Sequence, residues 1–291
     1  MDHPQPSHDE QAALWNGPAG RAWVDAQELL DQTLKPFADL IVEAVFGDRS
    51  LAVGQVLDVG CGTGATTCAI AGRIDGPGRC IGIDISEPMI NAARARAERE
   101  GSRASFICAD AQEHDFEPAR FDRIVSRFGV MFFVDQARAF ANLRRAAKDT
   151  ARLIFVAWRS PEENPFMTLA ERTAAPLLPN IPPRRLNAPG QFAFADGNRV
   201  HAILEHSGWG EIDIRPIDVG CSLPERDLIG YLTRLGPLGL SLRDVDEPKR
   251  KQVIEVVRAA FDPFVQGAVV HFTAACWMVE ARASSTPATR A

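Results

Sequence analysis

The chain has 291 residues, of which 46% are hydrophobic, and a formal net charge of −6. This length and composition suit one large domain, or a domain with an added lobe, around a substantial core. The acidic balance, without a long basic run, argues against nucleic acid as a main partner, because phosphate binding needs clustered positive charge.

The cysteines and the absence of targeting signals indicate the compartment. No apolar run reaches the length of a membrane helix, and the opening MDHPQPSHDE lacks the apolar core of a signal peptide. The six cysteines are scattered, without a CxxC pair or a close Cys/His group. Such cysteine usage is typical of a reduced protein without a structural metal, so we expect a cytoplasmic protein.

The N-terminal region is predicted to be partly helical. Residues 1–10 are polar and are expected to be mobile, whereas 20–46 has apolar residues at helical spacing, with Pro36 as a bend. Trp15 and Trp23 flank the sequence GPAGR. The two rings could close over a cationic ligand or could pack the scaffold, and the sequence leaves both interpretations open.

The sequence QVLDVGCGTG at 55–64 is the most informative segment. An apolar strand runs into Asp58, glycines follow at 60, 62 and 64, and a helix-compatible segment comes next at 65–74. Glycine allows a turn with positive φ and a close approach of a ligand, and the helix start leaves free N–H groups directed at that ligand. A site of this kind holds a nucleotide or the carboxylate of an amino acid.

Two ligand classes fit this loop. Gly60-x-Gly62-x-x-Ala65 matches a loose dinucleotide fingerprint, and Asp84 lies about where that fingerprint has its ribose-binding acid. Asp58, however, would repel a pyrophosphate beside the loop and would attract a ligand with an ammonium or sulfonium charge. This carboxylate therefore favours a cationic ligand over a dinucleotide.

Strands and helices alternate around and after this loop. Such alternation builds a doubly wound parallel sheet, in which ligands bind outside the carboxyl ends of the strands. Ser86 is expected to cap one of the helices. The predicted strands end at Asp58, Asp84 and Asp110, with two more at 121–128 and 151–158, and the helices lie at 65–74, 87–100 and 136–147.

The rest of the chain is predicted to shape an acceptor pocket. Residues 159–195 are proline-rich and irregular, which is typical of a functional loop, and we interpret them as part of a cap. Further on, we expect a helix over 196–206, a strand over 211–219, helices near 224–235 and 246–262, and a last strand over 268–281. The expected units are an N-terminal helical cap at 1–46, a core at 47–160, a cap insertion at 161–195, and a C-terminal part of the core at 196–291 with a helical insertion at about 222–264.

The segment 50–160 resembles the class I S-adenosylmethionine-dependent methyltransferases, through DVGCGTG and the two later strand-end acids. The stretch FDRIVSRFGVMFF resembles small-molecule members related to the ubiquinone/menaquinone C-methyltransferases. The resemblance implies an α/β fold with a doubly wound, mostly parallel seven-stranded sheet and a helical or irregular cap. It also implies S-adenosyl-L-methionine as the cofactor and a small molecule as the methyl acceptor.

The same resemblance assigns roles to residues of this chain. Asp58 and the glycine loop would hold the methionine part of the cofactor. Asp84 would take both ribose hydroxyls, and Asp110 would accept from the adenine amine. The full expected cofactor site comprises Trp15, Trp23, Asp58, Gly60, Cys61, Gly62, Gly64, Asp84, Ile85, Met89, Asp110, Ala111, Arg127 and Phe128.

No catalytic residue is predicted. Methyl transfer from an activated sulfonium needs alignment of donor and acceptor and exclusion of water, and proximity alone can suffice. His201, His206 and His271 are candidates for a general base, since histidine titrates near neutrality. Two alternatives stay open, a nicotinamide-dependent oxidoreductase and a non-catalytic S-adenosylmethionine-binding protein with a regulatory or assembly role. We expect no metal, no membrane span and a monomer or homodimer; the acceptor and the methylated atom (O, N, S or C) are left open.

Overall fold

A computed structural model describes residues 7–47, 53–179, 181, 184 and 188–283. Its helices are α1 (His8–Asn16), α2 (Pro18–Asp25), α3 (Gln27–Thr33), α4 (Lys35–Phe46), α5 (Ala65–Arg73), α6 (Glu87–Glu100), α7 (Gln136–Ala146), α8 (Pro165–Ala174), α9 (Gly197–His206), α10 (Leu228–Arg234), α11 (Gly236–Ser241) and α12 (Glu247–Ala260). Its strands are β1 (Gln55–Val59), β2 (Arg79–Asp84), β3 (Ser105–Cys108), β4 (Phe121–Arg127), β5 (Ala147–Trp158), β6 (Trp209–Pro224), β7 (Val265–Gln266) and β8 (Val269–Ala283).

One mixed sheet forms the centre of the protein. Its strand order is β3-β2-β1-β4-β5-β8-β6, and the two-residue β7 pairs with β8 outside this path. The first five strands of that order run parallel, while β8 is antiparallel to both β5 and β6. The predicted doubly wound, mostly parallel sheet is confirmed. It has seven longer strands as expected, and β7 was not predicted because two residues leave no pattern in a sequence.

The middle strands of the sheet are buried on both faces. Val56 and Leu57 of β1 are fully buried, as are Ile124 and Val125 of β4. Continuous apolar strands of this kind are typical of a parallel sheet with helices on both sides. The arrangement makes the carboxyl edge of the sheet a rigid platform, because the strands that end there cannot shift without opening the core.

Three strand-end acids lie along this edge. Asp58 pairs in register with Gly82 of β2 and with Val125 of β4. Asp84 is the last residue of β2, and Asp110 follows β3 by two residues. The strand order therefore places the acids in the sequence Asp110, Asp84, Asp58 from the β3 edge toward the centre of the sheet.

A long two-stranded arm, formed by β6 and β8, extends beyond this edge. Trp158, the last residue of β5, pairs with Cys276, so residues 269–275 of β8 continue past the end of β5. They pair there with β6, and Val269 and Val270 also pair with β7. Phe166 of α8 stacks on Phe272 of the arm with 3.9 Å between ring centroids. We refer to α8, α10, α11 and α12 as the cap, which is held on the arm by such contacts.

The N-terminal region differs from the prediction. Instead of one helix over 20–46, the chain forms α2, α3 and α4, with breaks at Ala26 and Leu34. Pro36 lies in the first turn of α4, two residues after the break at Leu34, so the bend expected at Pro36 takes the form of a boundary between α3 and α4. Of the segment 1–10 that was expected to be mobile, residues 7–10 form the N-cap and first turn of α1, while 1–6 lie outside the described residues. The expected mobility stays a prediction.

Later elements follow the prediction with shifted ends. The strand expected at 211–219 is the longer β6, and the helix expected near 224–235 is the shorter α10. The following α11 was not predicted. The irregular region at 159–195 contains α8, which proline-based reasoning missed because Pro165 is a helix-starting residue here. The proposed boundaries between core and cap units stay a prediction.

Candidate functional site

Asp58 is a buried carboxylate with an unfilled acceptor position. Only 1% of its surface is exposed. Thr67 Oγ1 donates to Asp58 Oδ2 at 2.7 Å, whereas Oδ1 is buried without a hydrogen-bond partner among the described residues. Burial raises the pKa of Asp58 to about 6, opposed by the Thr67 hydrogen bond and the charge of Arg127. A cation or donor placed at Oδ1 would therefore be strongly attracted.

The glycine loop is shaped by two different requirements. Gly60 has φ +64°, and a Cβ on it would meet Gly129 Cα at 2.6 Å, so packing against the β4 turn requires glycine there. Gly62 has φ +55°, but a Cβ on it would meet only Met89 Sδ, at 3.8 Å. The loop therefore leaves an open space beside Gly62, which we call the cradle. A side chain at position 62 would fill it. Gly64 caps the start of α5 in the left-handed conformation, and Cys61 is buried.

Asp84 is fixed by the backbone of its neighbours. The N–H of Gly62 donates to Oδ2 at 2.8 Å, and the N–H of Ser86 donates to Oδ1 at 2.9 Å. Burial raises the pKa of Asp84, and these backbone hydrogen bonds oppose that effect. A carboxylate has about four acceptor sites, so this group still has capacity for two ligand hydroxyls. Ile85 and Met89 follow on the turn and first helical turn beyond it.

Asp110 is held by three donors. The backbone N–H and the side-chain amide of Gln112 donate to it at 2.7 and 2.9 Å. His8 Nδ1 lies 2.8 Å from Asp110 Oδ2. The buried Ala111 is fixed next to it, because Asn142 donates to the Ala111 carbonyl at 2.9 Å. The contact from His8 was not predicted, although the Ser7 and Glu10 capping box that starts α1 is readable in the sequence.

The end of β4 is locked to the end of β1. Ser126 Oγ donates to the carbonyl of Val59 at 2.7 Å and accepts from the N–H groups of Gly129 and Val130. Between these contacts, Phe128 adopts φ +67°, which is an uncommon conformation for a non-glycine residue. Backbone strain of this kind persists where the surroundings over-determine it, often at ligand sites.

An aromatic group surrounds this strained residue. Phe128 stacks on Trp158 with a centroid separation of 4.8 Å, and the edge of Phe37 meets Phe128 at 4.9 Å. All three side chains are buried. The ends of β4 and β5 and the start of α4 therefore share a buried aromatic cluster at the carboxyl edge of the sheet, which we call the aromatic floor.

A charged network joins α3 to the glycine loop. Arg96 of α6 forms an ion pair with Asp31 and donates through Nε to the Thr63 carbonyl at 2.9 Å. Arg127 Nη1 donates to the Leu34 carbonyl at 3.3 Å. Burial lowers the pKa of Arg127, while the charges of Asp31 and Asp58 raise it. Sequence reasoning missed Asp31 and Arg96 because no local pattern connects charges that lie 65 positions apart.

The two N-terminal tryptophans meet each other and the β4–α7 turn. Trp15 and Trp23 contact edge to face at 6.0 Å, and Trp15 contacts Phe132 at 5.0 Å. The GPAG segment between them approaches α1 closely, since a Cβ on Gly20 would meet the Trp15 carbonyl oxygen at 1.9 Å. This packing brings Trp15 to the Asp84 turn, where Ser86 Oγ donates to its carbonyl at 2.7 Å.

The candidate bases lie away from these groups. His201 and His206 are exposed on α9, and the ring of His206 contacts the Ala202 carbonyl. His271 is exposed on the two-stranded arm, where it lines an open cleft of about 560 Å³ with Ser222 and Thr273. The structure brings none of them to the three strand-end acids, so their assignment as bases has no geometric support.

Two further searches concern the described residues alone. No group of three or more His, Cys, Asp or Glu side chains in these parts of the chain is arranged to hold a metal ion. Within the same parts, no helix has both the length and the apolarity to cross a membrane.

Comparison with known proteins shows a methyltransferase domain. Residues 56–150, which contain all three acids, match the family model described as a methyltransferase domain. This part of the chain is related to the class I S-adenosylmethionine-dependent methyltransferases. S-adenosyl-L-methionine is its cofactor, and the oxidoreductase and non-catalytic alternatives are not favoured.

Named relatives and a solved structure agree with this assignment. The chain is 26% identical over 180 residues to a demethylmenaquinone methyltransferase of Bacteroides fragilis, which covers 58% of this chain and 73% of the relative. It is 30% identical over 156 residues to an aklanonic acid methyltransferase of Streptomyces sp. strain C5, covering 53% and 61% respectively. The fold is similar to that of the YcgJ protein from Bacillus subtilis, with a TM-score of 0.57, 17% identity, and coverage of 87% and 100%.

Proposed function

We propose that this methyltransferase methylates a flat, aromatic small molecule that binds between the aromatic floor and the cap. The aromatic floor carries the proposal, because Phe128 and Trp158 stack on each other with 7% and 5% of their surfaces exposed, and contact with the edge of such a stack favours an aromatic acceptor over an aliphatic one. The names of two relatives, which refer to demethylmenaquinone and aklanonic acid, support an acceptor with fused rings.

The residues of the carboxyl edge fit the cofactor. The unpartnered Oδ1 of Asp58 suits the ammonium of the methionine part, since burial makes a nearby cation favourable. The cradle beside Gly62 gives room for a ligand to approach the backbone. Asp84 would accept from the ribose hydroxyls, and Asp110 from the adenine amine. From the sheet centre outward, Asp58, Asp84 and Asp110 thus follow the same order as the ammonium, the ribose and the adenine amine of the cofactor.

The protein itself contributes alignment and exclusion of water. The cofactor supplies a methyl group already activated on a positively charged sulfur. The strained Phe128 and the rings of Trp158 and Phe37 would fix the plane of the acceptor beside that methyl. Holding the reacting atoms close together in this way removes a large part of the barrier to displacement, and no base is required. Trp15 and Trp23 would cover the site from the N-terminal side.

The experiment compares acceptor classes with one purified protein. Labelled S-adenosylmethionine is incubated with hydroxylated naphthoquinones and anthraquinone acids, and with aliphatic amines and acids of similar size. We expect label transfer only to the aromatic set, and we expect Trp158→Leu to reduce that transfer while the affinity for S-adenosylhomocysteine stays the same. Label transfer to the aliphatic set alone would contradict the proposal. A parallel titration with a nicotinamide cofactor is expected to give no binding.

Partners and compartment are part of the same proposal. The acidic charge supports the absence of a nucleic-acid partner, and the cysteine usage supports a cytoplasmic location. A small-molecule acceptor in solution and a monomer or homodimer complete the proposal. Sedimentation of the purified chain, with and without an oligonucleotide, tests the oligomeric state and the nucleic-acid prediction together.

A further inference from the structure

Helix α1 lies across the outer part of the carboxyl edge. His8, Gln11 and Trp15 are spaced by three and four positions, so they share one face of this helix. His8 contacts Asp110 beyond β3, and the Trp15 carbonyl accepts from Ser86 beyond β2. The helix therefore spans the stretch between the two acids that would hold the adenosine part of the cofactor.

Both ends of α1 are fastened to that edge. At the first turn, His8 Nδ1 lies 2.8 Å from Asp110 Oδ2. At the last turn, Asn16 Nδ2 donates to the Ile85 carbonyl at 3.0 Å, and Asn16 Oδ1 accepts from the N–H of Glu87 at 2.8 Å. These contacts join distant parts of the chain, as the separation of 71 positions between Asn16 and Glu87 illustrates. The position of α1 is thus set by polar contacts as well as by packing.

Gln11 lies between the two fastened ends and is the buried residue of α1. Its side chain is 8% exposed, and its carboxamide oxygen is buried without a hydrogen-bond partner in the described parts of the chain. A buried amide oxygen without a donor is unfavourable, because it has lost its hydrogen bonds to water and has formed none within the protein. A donor that arrives with a ligand would satisfy this oxygen.

The carboxylate of Asp110 has little acceptor capacity left. Two hydrogen bonds from Gln112 and the contact from His8 occupy three of its roughly four acceptor sites. An exocyclic amine has two N–H groups to satisfy. A second acceptor near Asp110 is needed for full recognition of an adenine amine, and Gln11 is one helical turn from the residue that touches Asp110.

We propose that Gln11 reads the adenine of the cofactor, accepting a hydrogen bond from the exocyclic amine that Asp110 cannot fully satisfy. This inference rests on the proposed cofactor site and assigns to it a residue outside the methyltransferase-domain match at 56–150. His8 is a positioning residue, which holds α1 on Asp110 and thereby sets the height of Gln11 over the site. Gln11 is a specificity residue, because an analogue without the amine leaves its oxygen unsatisfied.

The test compares two ligands with the full-length protein and its variants. S-adenosylhomocysteine carries the amine, and S-inosylhomocysteine carries a carbonyl oxygen in its place. Calorimetry gives the dissociation constant of each for the parent, Gln11→Met, Gln11→Glu, His8→Ala and Asp9→Asn. Methionine keeps the length of the side chain and removes the acceptor, glutamate keeps an acceptor, and Asp9 is an exposed residue of the same helix that serves as the matched control.

We expect the parent to prefer the adenosyl ligand. Gln11→Met should weaken the adenosyl ligand about 3- to 10-fold, as for one lost hydrogen bond, and should change the inosyl ligand less than about 2-fold. Gln11→Glu should keep most of the preference, and Asp9→Asn should match the parent. His8→Ala should weaken the adenosyl ligand more than the inosyl ligand, because Gln11 loses its position when α1 is no longer held on Asp110.

Two results would overturn the proposal in different ways. If Gln11→Met weakens both ligands equally, or neither, Gln11 only packs the helix and the assignment is wrong while the cofactor site stands. If the parent protein binds neither ligand, the proposed cofactor site fails, and this inference fails with it.

Discussion

Replacing Asp58 by asparagine should make the ligand-free protein more stable and its cofactor affinity lower. The carboxylate is 1% exposed, and burial raises its pKa from 3.8 to about 6. A difference of about two pKa units corresponds to about 3 kcal/mol of unfavourable free energy for the ionised group in the folded state. The asparagine side chain of the variant cannot ionise, and its oxygen can still accept from Thr67, so most of this unfavourable free energy disappears.

The pH dependence fixes the sign of the effect. Because the pKa of Asp58 is raised by folding, the folded protein holds the proton more tightly than the unfolded chain does. The contribution of this group to stability is therefore present at low pH, falls as the pH rises from 3.8 to about 6, and stays lost above that range. The stability advantage of the Asp58→Asn variant should be small near pH 4 and full at pH 7.5.

The raised pKa of Asp58 already includes the attraction of Arg127, and the amide of the variant is itself removed from water, so we expect a net gain of about 1–3 kcal/mol at pH 7.5. Urea unfolding of ligand-free protein at several pH values measures this gain, with the exposed Asp75→Asn as the matched control. Calorimetry should show binding of S-adenosylhomocysteine weakened about 10- to 100-fold, as for a lost charge-assisted contact. Equal or lower stability of the variant at pH 7.5, or an unchanged affinity, would refute the reasoning.

Three further predictions concern the ribose acid, the glycine loop and the N-terminal helices. Asp84→Ala should weaken S-adenosylhomocysteine by about 2–4 kcal/mol in calorimetry, with exposed Asp75→Ala unchanged, and an equal affinity would exclude the ribose role. Gly62→Val should abolish binding, whereas Gly76→Val, which strains a similar φ of +65° in open space, should only lower the melting temperature; binding by the Gly62 variant would contradict the cradle. S-adenosylhomocysteine should slow amide exchange over 8–25, most of all between Trp15 and Trp23, and protection limited to the strand ends would show that these tryptophans only pack.

The central part of the fold could be predicted because its signals are local. Asp58 and the following glycines mark a strand, a turn and a helix in one short, continuous segment. Ser86 and the helix end at Glu100 were likewise predicted, since an N-cap serine and a glycine at 101 in the left-handed conformation act on the neighbouring backbone alone. Helix ends that are set by residues within one helical turn can therefore be predicted from the sequence.

The missed features depend on distant parts of the chain. The carbonyl of Leu34, where α3 ends, accepts from Arg127, which lies 93 positions away. His8 reaches Asp110 only because α1 is folded onto the carboxyl edge. In both cases the contacting groups lie far apart in the sequence, so local sequence patterns do not reveal the contact.

Two unfavourable features meet at the same point of the carboxyl edge. Asp58 is an ionisable group in a buried position, and Phe128 carries a positive φ of 67° next to the turn that packs on Gly60. Ser126 joins them, since it bonds to Val59, the residue after Asp58, and holds the turn that follows Phe128. A cation at Asp58 would relieve the electrostatic cost, whereas the strain at Phe128 is independent of charge and would keep the aromatic floor rigid. Ligand binding at this edge should therefore increase stability most above pH 6, where Asp58 is ionised, and the strained floor should be as ordered without the ligand as with it.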